Sequence, residues 1–186
     1  MSKVSIISVV AVLICIAITQ ALSYYAADSG NFKINYLAAY IMAVQWLVFI
    51  HAGGFFFFFL TEKFYDITGS VTYLTAIILS VILSTNLTAR FILLASYVVI
   101  WSVRLGWFLF TRIHNNNGVD SRFEEIKKNN FRFWMTWTLQ GTWVLICLLP
   151  VLQVSQYKTD APFSTLDFVG MPLWIFGFMF EVIADY

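Results

Sequence analysis

Long apolar runs, separated by short polar segments, make up most of this chain. A helix that crosses the hydrocarbon core of a bilayer needs about 20 mostly apolar residues. Four runs fit this length well. Two others fit less well, because one is short enough to be tilted or partly re-entrant and the other ends in acidic residues. The pattern predicts an all-α, polytopic transmembrane helix bundle of five to six spans in a single domain. The six runs are Val4–Leu22, Tyr36–Leu60, Val71–Ser84 (the short one), Phe91–Thr111, Phe133–Val154 and Leu166–Asp185 (the acidic one).

The first run has a second interpretation as a secretory signal. Lys3 precedes it, and the small-residue word "ALS" at 21–23 could serve as an exit site. Both interpretations stay open. Cleavage would leave the orientation of the other five spans unchanged.

Composition supports a membrane protein. The chain is 60% hydrophobic and 11% charged, whereas soluble domains are roughly a quarter charged. A net charge of +1 gives no case for nucleic acid, which requires a concentrated basic face. Cys15 and Cys147 lie in apolar runs without metal-ligand spacing, so we predict small buried residues and no metal site.

Residues 112–132 form a polar island between two apolar runs, with five basic and three acidic side chains. Asp120 is positioned to cap a short helix that follows it, with acidic residues early and lysines late. Lys and Arg in short loops favour the cytoplasmic side, and seven lie on one side of the predicted spans against three on the other. The island is therefore predicted to be a cytosolic loop. The seven are Lys3, Lys63, Arg112, Arg122, Lys127, Lys128 and Arg132, and the three are Lys33, Arg90 and Lys158.

Charges within the spans are candidates for chemistry, since each costs about 2.5–3.5 kcal/mol at a helix centre. Arg104 either snorkels to the membrane edge or binds an anion in a cytosol-facing cavity. Glu181 and Asp185 lie four residues apart on one helix face, which Trp174 and Phe178 continue. The pair is either a solvated helix end or a site that needs cations, which the basic loop could supply.

Three arginines, Arg104, Arg112 and Arg122, accompany these acids. Arginine forks suit phosphate and carboxylate groups, so the sequence suggests a phosphate-bearing cofactor at this face. The sequence contains no Gly-rich dinucleotide fingerprint, P-loop, nucleophile elbow or zinc motif. We interpret His51 and His114 as structural, and phenylalanines 55–59 as lipid-facing or packing residues.

Several short words together resemble the uncharacterised branch of the steroid 5-alpha-reductase-like family. Their order and spacing match from about residue 60 to the end. The words are "EKFYDITGSVTYLT" (62–75), "WSVRLGWFLFTRI" (101–113), "DSRF" (120–123), "WTLQGTWV" (137–144), "LP" (149–150) and "GFMFEVIADY" (177–186).

The resemblance implies a membrane reductase of the endoplasmic reticulum or a bacterial inner membrane. Such enzymes use NADPH to reduce a carbon–carbon double bond conjugated to a carbonyl, here in a steroid, polyprenol or enoyl lipid. It implies that Glu181 and Asp185 contact the ribose or amide side of the cofactor. Asp66 is a weak catalytic candidate near the substrate end, or else part of a helix-capping turn. The residues that would line or brace the cofactor cavity are Arg104, Arg112, Asp120, Arg122 and Gln140.

One departure from the family pattern bears on activity. Family members continue past the "E-x-x-A-D" helix with a basic segment and an arginine–histidine–proline word, whereas this sequence stops at Tyr186. We therefore expect a fragment, or a degenerate member, that inserts in the membrane but is catalytically inert. Two other classes stay open: a membrane methyltransferase for isoprenylcysteine or phospholipid, and a non-catalytic membrane protein whose island docks a partner.

Overall fold

The computed structural model describes residues 2–27, 33–50, 61–84, 86–117 and 119–185. The interpretations of His51 and of phenylalanines 55–59 lie outside these residues, as does the end of the predicted span Tyr36–Leu60.

The described residues form six α-helices and no strand. Five of these helices are long and apolar enough to cross a membrane, and α2, with 17 residues, is shorter. This confirms the predicted all-α bundle and identifies an integral, multi-pass membrane protein. The helices are α1 (Lys3–Ala26), α2 (Lys33–Phe49), α3 (Tyr65–Leu83), α4 (Ala89–Asn115), α5 (Asn130–Val154) and α6 (Thr165–Ala184).

α3 is longer than the predicted run Val71–Ser84. It begins at Tyr65 and has 19 residues, which is about 28 Å at 1.5 Å per residue. Its first turns carry polar side chains whose hydroxyls are satisfied within the helix: Thr68 donates to Phe64 O and Thr72 to Thr68 O, each at 2.6 Å. α3 is thus a full-length span rather than a short or re-entrant segment.

Contacts between helix ends show an up-and-down arrangement. At one end, Asn129, before α5, donates to Ser5 of α1 at 3.0 Å. At the other end, Gln156, after α5, donates to the carbonyl of Ala26 at 3.1 Å. The polar island therefore lies at the end where α1, α3 and α5 begin and α4 and α6 finish. Which compartment this end faces stays a prediction.

The core consists of two clusters of buried apolar residues. The cluster on the island side is entirely aromatic, and the other is not. The larger cluster joins α2, α3, α4 and α5, and its members include Ile41, Ile77, Phe91, Leu145 and Leu148. The smaller one consists of Phe49, Phe123, Phe133 and Trp137.

α1 packs against α5, and most of the side chains that α1 buries are small. Small residues let helix backbones approach closely, which drives helix association in lipid. Thr19 lies 3.4 Å from Thr142 of α5, hydroxyl to hydroxyl. The buried residues of α1 are Ser5, Ser8, Val12, Cys15, Thr19 and Ser23.

α6 stands apart from the bundle, since none of its residues, all of which the structure describes, is buried. It is joined to α4 near its start, where Arg90 binds Asp167 in a two-bond fork of 3.0 and 2.7 Å. Midway, Trp174 stacks on Tyr97 with ring centroids 4.2 Å apart. A cleft is left between α6 and the bundle, and it contains the candidate site.

Candidate functional site

Arg104 of α4 binds both acids at the end of α6. Its guanidinium lies 2.7 Å from Glu181 Oε1 and 2.5 Å from Asp185 Oδ2. The other carboxylate oxygen of Glu181 accepts a hydrogen bond of 3.0 Å from Trp101 Nε1. The ring of Phe108 covers the guanidinium, with its centroid 5.5 Å away. We call Arg104, Glu181 and Asp185 the α4–α6 ion cluster.

Arg104 is paired within the protein. The side chain is only 19% exposed and is bound by carboxylates of this chain; its contact with a cofactor anion stays a prediction. The acids were expected to draw their cations from the basic loop. Their partner is Arg104, because one turn of α4 faces the same cleft as the end of α6.

A second group of charges lies where α3 begins, α4 ends and the island starts. Asp66 accepts hydrogen bonds from Arg112 at 3.2 Å and from Arg122 at 3.0 Å. Arg122 also forks onto Asp120, with Nε 2.9 and 2.8 Å from the two carboxylate oxygens. We call Asp66, Arg112, Asp120 and Arg122 the loop cluster.

The loop cluster has buried acids and half-exposed bases. The side chains of Asp66 and Asp120 are 12% and 8% exposed, against 38% for Arg112 and 54% for Arg122. The hydrogen bond from Arg122 holds the pKa of Asp120 below its usual value, and the same bond raises the pKa of Arg122. Both groups are therefore ionised at neutral pH.

Local structure fixes Asp120 in this position. Its side chain caps a 3₁₀ helix, Ser121–Phe123, by accepting from the backbone N–H of Arg122 at 3.0 Å. The predicted cap is confirmed, but the helix has one turn, so Glu124 is its C-cap instead of an early helical residue. The cap brings the Asp120 carboxylate and the Arg122 guanidinium to the same point.

Glu62 is a site residue that the sequence analysis missed. Its side chain is 2% exposed, binds Lys127 of the island at 2.7 Å and accepts the backbone N–H of Asp120 at 3.2 Å. Glu62 lies directly after an apolar run, where a charged residue reads as an ordinary loop residue. The sequence signal that could have identified Glu62 is that it begins "EKFYDITGSVTYLT" (62–75), the first of the segments that resemble the family.

Gln140 braces the start of α3 from α5. Its Nε2 donates to the Tyr65 carbonyl at 3.1 Å. Gly69 makes room for it, because a Cβ at Gly69 would lie 2.8 Å from that nitrogen. The Oε1 of Gln140 is buried and has no hydrogen-bond partner in the part of the chain that the structure describes.

The predicted site residues other than Gln140 thus form two separate groups. Arg104 and Arg112 are eight residues apart on α4, which is about 12 Å along the helix axis. The α4–α6 ion cluster lies deeper in the span and the loop cluster lies at its edge. Asp66 belongs to the loop cluster, whereas the cleft between α6 and the bundle adjoins the α4–α6 ion cluster. A catalytic role for Asp66 stays a prediction.

An aromatic cleft of about 450 Å³ leads from the α4–α6 ion cluster toward the middle of the span. Trp174 and Phe178 stack face to face along α6, with ring centroids 5.1 Å apart. Cys147 of α5 faces the cleft and is exposed, which corrects the prediction that it is buried; Cys15 is buried as predicted. The cleft is lined by Tyr73, Tyr97, Val98, Trp101, Cys147, Trp174, Gly177, Phe178 and Glu181.

Comparison with known proteins gives one family. A family model described as "Protein of unknown function (DUF1295)" matches residues 57–186, more than two thirds of the chain. No curated protein and no solved structure matches. The matched residues include both ion clusters and the aromatic cleft.

Proposed function

We propose a function on the premise that this chain belongs to the DUF1295 family, a family of the steroid 5-alpha-reductase-like kind. The proposed activity is that of a membrane-embedded, NADPH-dependent reductase. Its substrate is a lipid or steroid with a carbon–carbon double bond conjugated to a carbonyl. The membrane would be the endoplasmic reticulum in a eukaryote or the inner membrane in a bacterium.

The observation that carries the proposal is the α4–α6 ion cluster at the end of an apolar cleft. Charged groups within a span are costly and usually mark a functional site. Here Arg104 and the two carboxylates adjoin a cavity with aromatic walls. A site for reduction of a hydrophobic substrate requires this combination of an apolar chamber and a polar end that meets a charged cofactor.

The donors of the loop cluster fit a phosphate-bearing cofactor. Among the described residues, Arg112 binds Asp66 and Asp120 through Nη2 alone, so its remaining N–H groups can donate to phosphate oxygens. Arg122 uses Nε and Nη2 for its carboxylates and keeps Nη1. Five donors in a rigid fork allow one guanidinium to serve a carboxylate and a phosphate together.

The deeper groups fit the uncharged parts of the same cofactor. Glu181 and Asp185 can accept hydrogen bonds from ribose hydroxyls or an amide, and Arg104 orients both carboxylates. The buried Gln140 Oε1, which lacks a hydrogen-bond partner within the described ranges, is a further acceptor. Bound NADPH would supply a hydride; the residues of this chain would bind and orient it and exclude water.

The proposal is tested by NADPH binding to the purified chain in lipid nanodiscs, measured by calorimetry. Arg122→Ala should weaken binding by about tenfold or more, since a hydrogen bond to a charged group contributes roughly 1.5–3 kcal/mol. Arg132→Ala is the matched control, because it removes an arginine of the island outside the loop cluster. NADPH oxidation with steroid enones and trans-2-enoyl esters, by a version that continues with the family's basic segment and arginine–histidine–proline word, then tests the reaction.

Absence of NADPH binding both by the wild-type chain and by a version that continues with the family's basic segment and arginine–histidine–proline word would refute the proposal. Binding of S-adenosylmethionine in its place would support the methyltransferase class. Equal NADPH affinity in wild type, Arg122→Ala and Arg132→Ala would remove the loop cluster from the cofactor site.

A further inference from the structure

We infer that α6 is a hinged gate. Its island-side half, residues 173–184, swings away from α4 about a hinge at Gly170 and Pro172 and opens the aromatic cleft to the bilayer. The α4–α6 ion cluster is the latch that holds this gate closed in the structure. The motion requires neither the cofactor nor the substrate proposed for this chain, so it goes beyond the proposed function.

The start of α6 is anchored to α4 and to its own cap. Asp167 accepts the two-bond fork of Arg90, and Arg90 also donates to the carbonyl of Pro162 at 3.1 Å. The Asp167 carboxylate further accepts the backbone N–H of Ser164 at 2.6 Å and its hydroxyl at 2.9 Å, which closes a capping box. The start of α6 therefore cannot move without breaking several polar contacts together.

The hinge follows this anchor within the helix. Pro172 lies inside α6, and because proline has no N–H, the carbonyl of Phe168 lacks its helical hydrogen bond. Gly170 adds backbone freedom, and a Cβ there would meet no atom within 4 Å. No residue of α6 is buried, and the structure describes all of them, so no neighbouring helix packs around the hinge to hold it straight. Sharp kinks in helices occur at such positions.

The α6 side of the cleft lies entirely beyond the hinge. The α6 residues that line it are Trp174, Gly177, Phe178 and Glu181, and none comes from residues 165–171. The island-side half is about 18 Å long at 1.5 Å per residue. A bend of about 20°, the smallest that counts as a sharp kink, moves its far end by about 6 Å. Such a bend widens the whole α6 side of the cleft while the anchor stays in place.

Beyond the hinge, α6 is held against α4 at two levels. Trp174 stacks on Tyr97 near the hinge, and the α4–α6 ion cluster lies at the far end, where it has the greatest leverage on the swing. The side chains of Glu181 and Asp185 are 36% and 25% exposed. Water can therefore reach the cluster and solvate its charges when they separate. This makes the cluster a latch that can open.

α5 contains a proline that provides the matched control. Pro150 lies inside α5, but Leu148, Val151 and Leu152 around it are buried. α5 also packs against α1, α2 and α3. Neighbouring helices thus fix α5, and its proline has no room to act as a hinge.

Pulsed EPR in nanodiscs measures the motion. Each chain carries Cys147→Ser, which removes the exposed native thiol, and a reference spin label at Leu139→Cys on α5. A second label is placed at Val169→Cys, before the hinge, or at Phe180→Cys, beyond it; all three labelled positions are exposed. With the latch intact, both label pairs should give one narrow distance.

Two variants release the latch from opposite sides: Arg104→Gln, and Glu181→Gln combined with Asp185→Asn. Each should add a second distance at position 180, displaced by up to about 6 Å, and leave the distance at position 169 unchanged. With native Cys147 and no spin labels, a lipid-soluble maleimide should alkylate Cys147 severalfold faster in the released variants, because this thiol faces the cleft.

The hinge is tested in the released variants. Adding Pro172→Ala should remove the second distance at position 180, since alanine restores the backbone hydrogen bond, whereas adding Pro150→Ala should leave it present. Four results would each overturn the inference. They are an unchanged distance at position 180 in both released variants, equal changes at positions 169 and 180, equal effects of the two proline substitutions, and an alkylation rate of Cys147 that does not respond.

Discussion

Glu62 and Lys127 form an ion pair whose carboxylate is almost completely shielded from solvent. Their charged atoms are 2.7 Å apart, and the Glu62 side chain is 2% exposed. Glu62 lies in the segment that leads into α3 and Lys127 lies in the island, so the pair fastens the island to the bundle. The same carboxylate holds the backbone of Asp120, and therefore the whole loop cluster depends on it.

Lys127→Gln should lower the free energy of unfolding by up to about 3 kcal/mol, because it leaves a buried carboxylate without its cation. The Lys127 side chain is a quarter exposed, so we expect a smaller loss of free energy than for a fully buried ion pair. Thermal unfolding in detergent measures the change. Lys128→Gln is the control, since Lys128 pairs with Glu125 on the exposed surface and should contribute roughly 0–1 kcal/mol. Equal losses in both variants would contradict the assignment.

The loop cluster should make stability depend on pH below about 4. The pKa of Asp120 is held below its ordinary value of 3.8 in the folded protein, so the folded state prefers the ionised form. Its stabilisation is complete above the unfolded value and is lost as the pH falls through the folded value. Melting temperatures of wild type and Asp120→Asn should therefore converge as the pH falls below about 4. A constant difference across this range would show that Asp120 does not titrate with folding.

Gly106→Ala should loosen the contact between α3 and α4. A Cβ at Gly106 would lie 2.7 Å from the Cβ of Ser70, so the helices must move apart, at about 1–3 kcal/mol for an overpacked site. Gly170→Ala is the control, because its Cβ would meet no atom within 4 Å and alanine favours a helix. The measurement is the melting temperature of each variant, and an unchanged value for Gly106→Ala would be against the close contact.

The island should face the cytosol if the arginine and lysine count governs insertion. A membrane-impermeant maleimide should label Lys128→Cys from the cytosolic face only, and Lys158→Cys from the opposite face only. Both variants would be made with Cys147→Ser to remove the exposed native thiol. Labelling of Lys128→Cys from outside intact cells would reverse the predicted orientation.

Apolar runs were enough to predict the class of fold, because a single segment can satisfy its own backbone groups in lipid only as a helix. They located α4 and α5 closely. They underestimated the length of α3, because its first turns carry hydroxyls that bond within the helix and therefore do not look apolar. Hydropathy marks what faces lipid, and these turns face the interior.

The candidate site was predictable as a set of residue types and not as an arrangement. Arg104 and Glu181 were each recognised as charges that need a partner within the membrane. Their mutual contact depends on how α6 lies beside α4, which is set by the stack of Tyr97 on Trp174 and the fork of Arg90 on Asp167. Those contacts join residues 77 apart in sequence, and no local pattern encodes them. Glu62 was missed for the same reason.

The small polar face of α1 implies that two selection pressures on this helix act on different residues. Entry into the bilayer depends on total apolarity, which the outward residues such as Ile6, Leu13 and Ile18 provide. Docking onto α5 depends on the serines and threonines that α1 buries. Replacing Ser8 with leucine would thus make α1 a better membrane span and a worse neighbour for α5. Greater hydrophobicity would yield a chain that inserts more readily and assembles less completely.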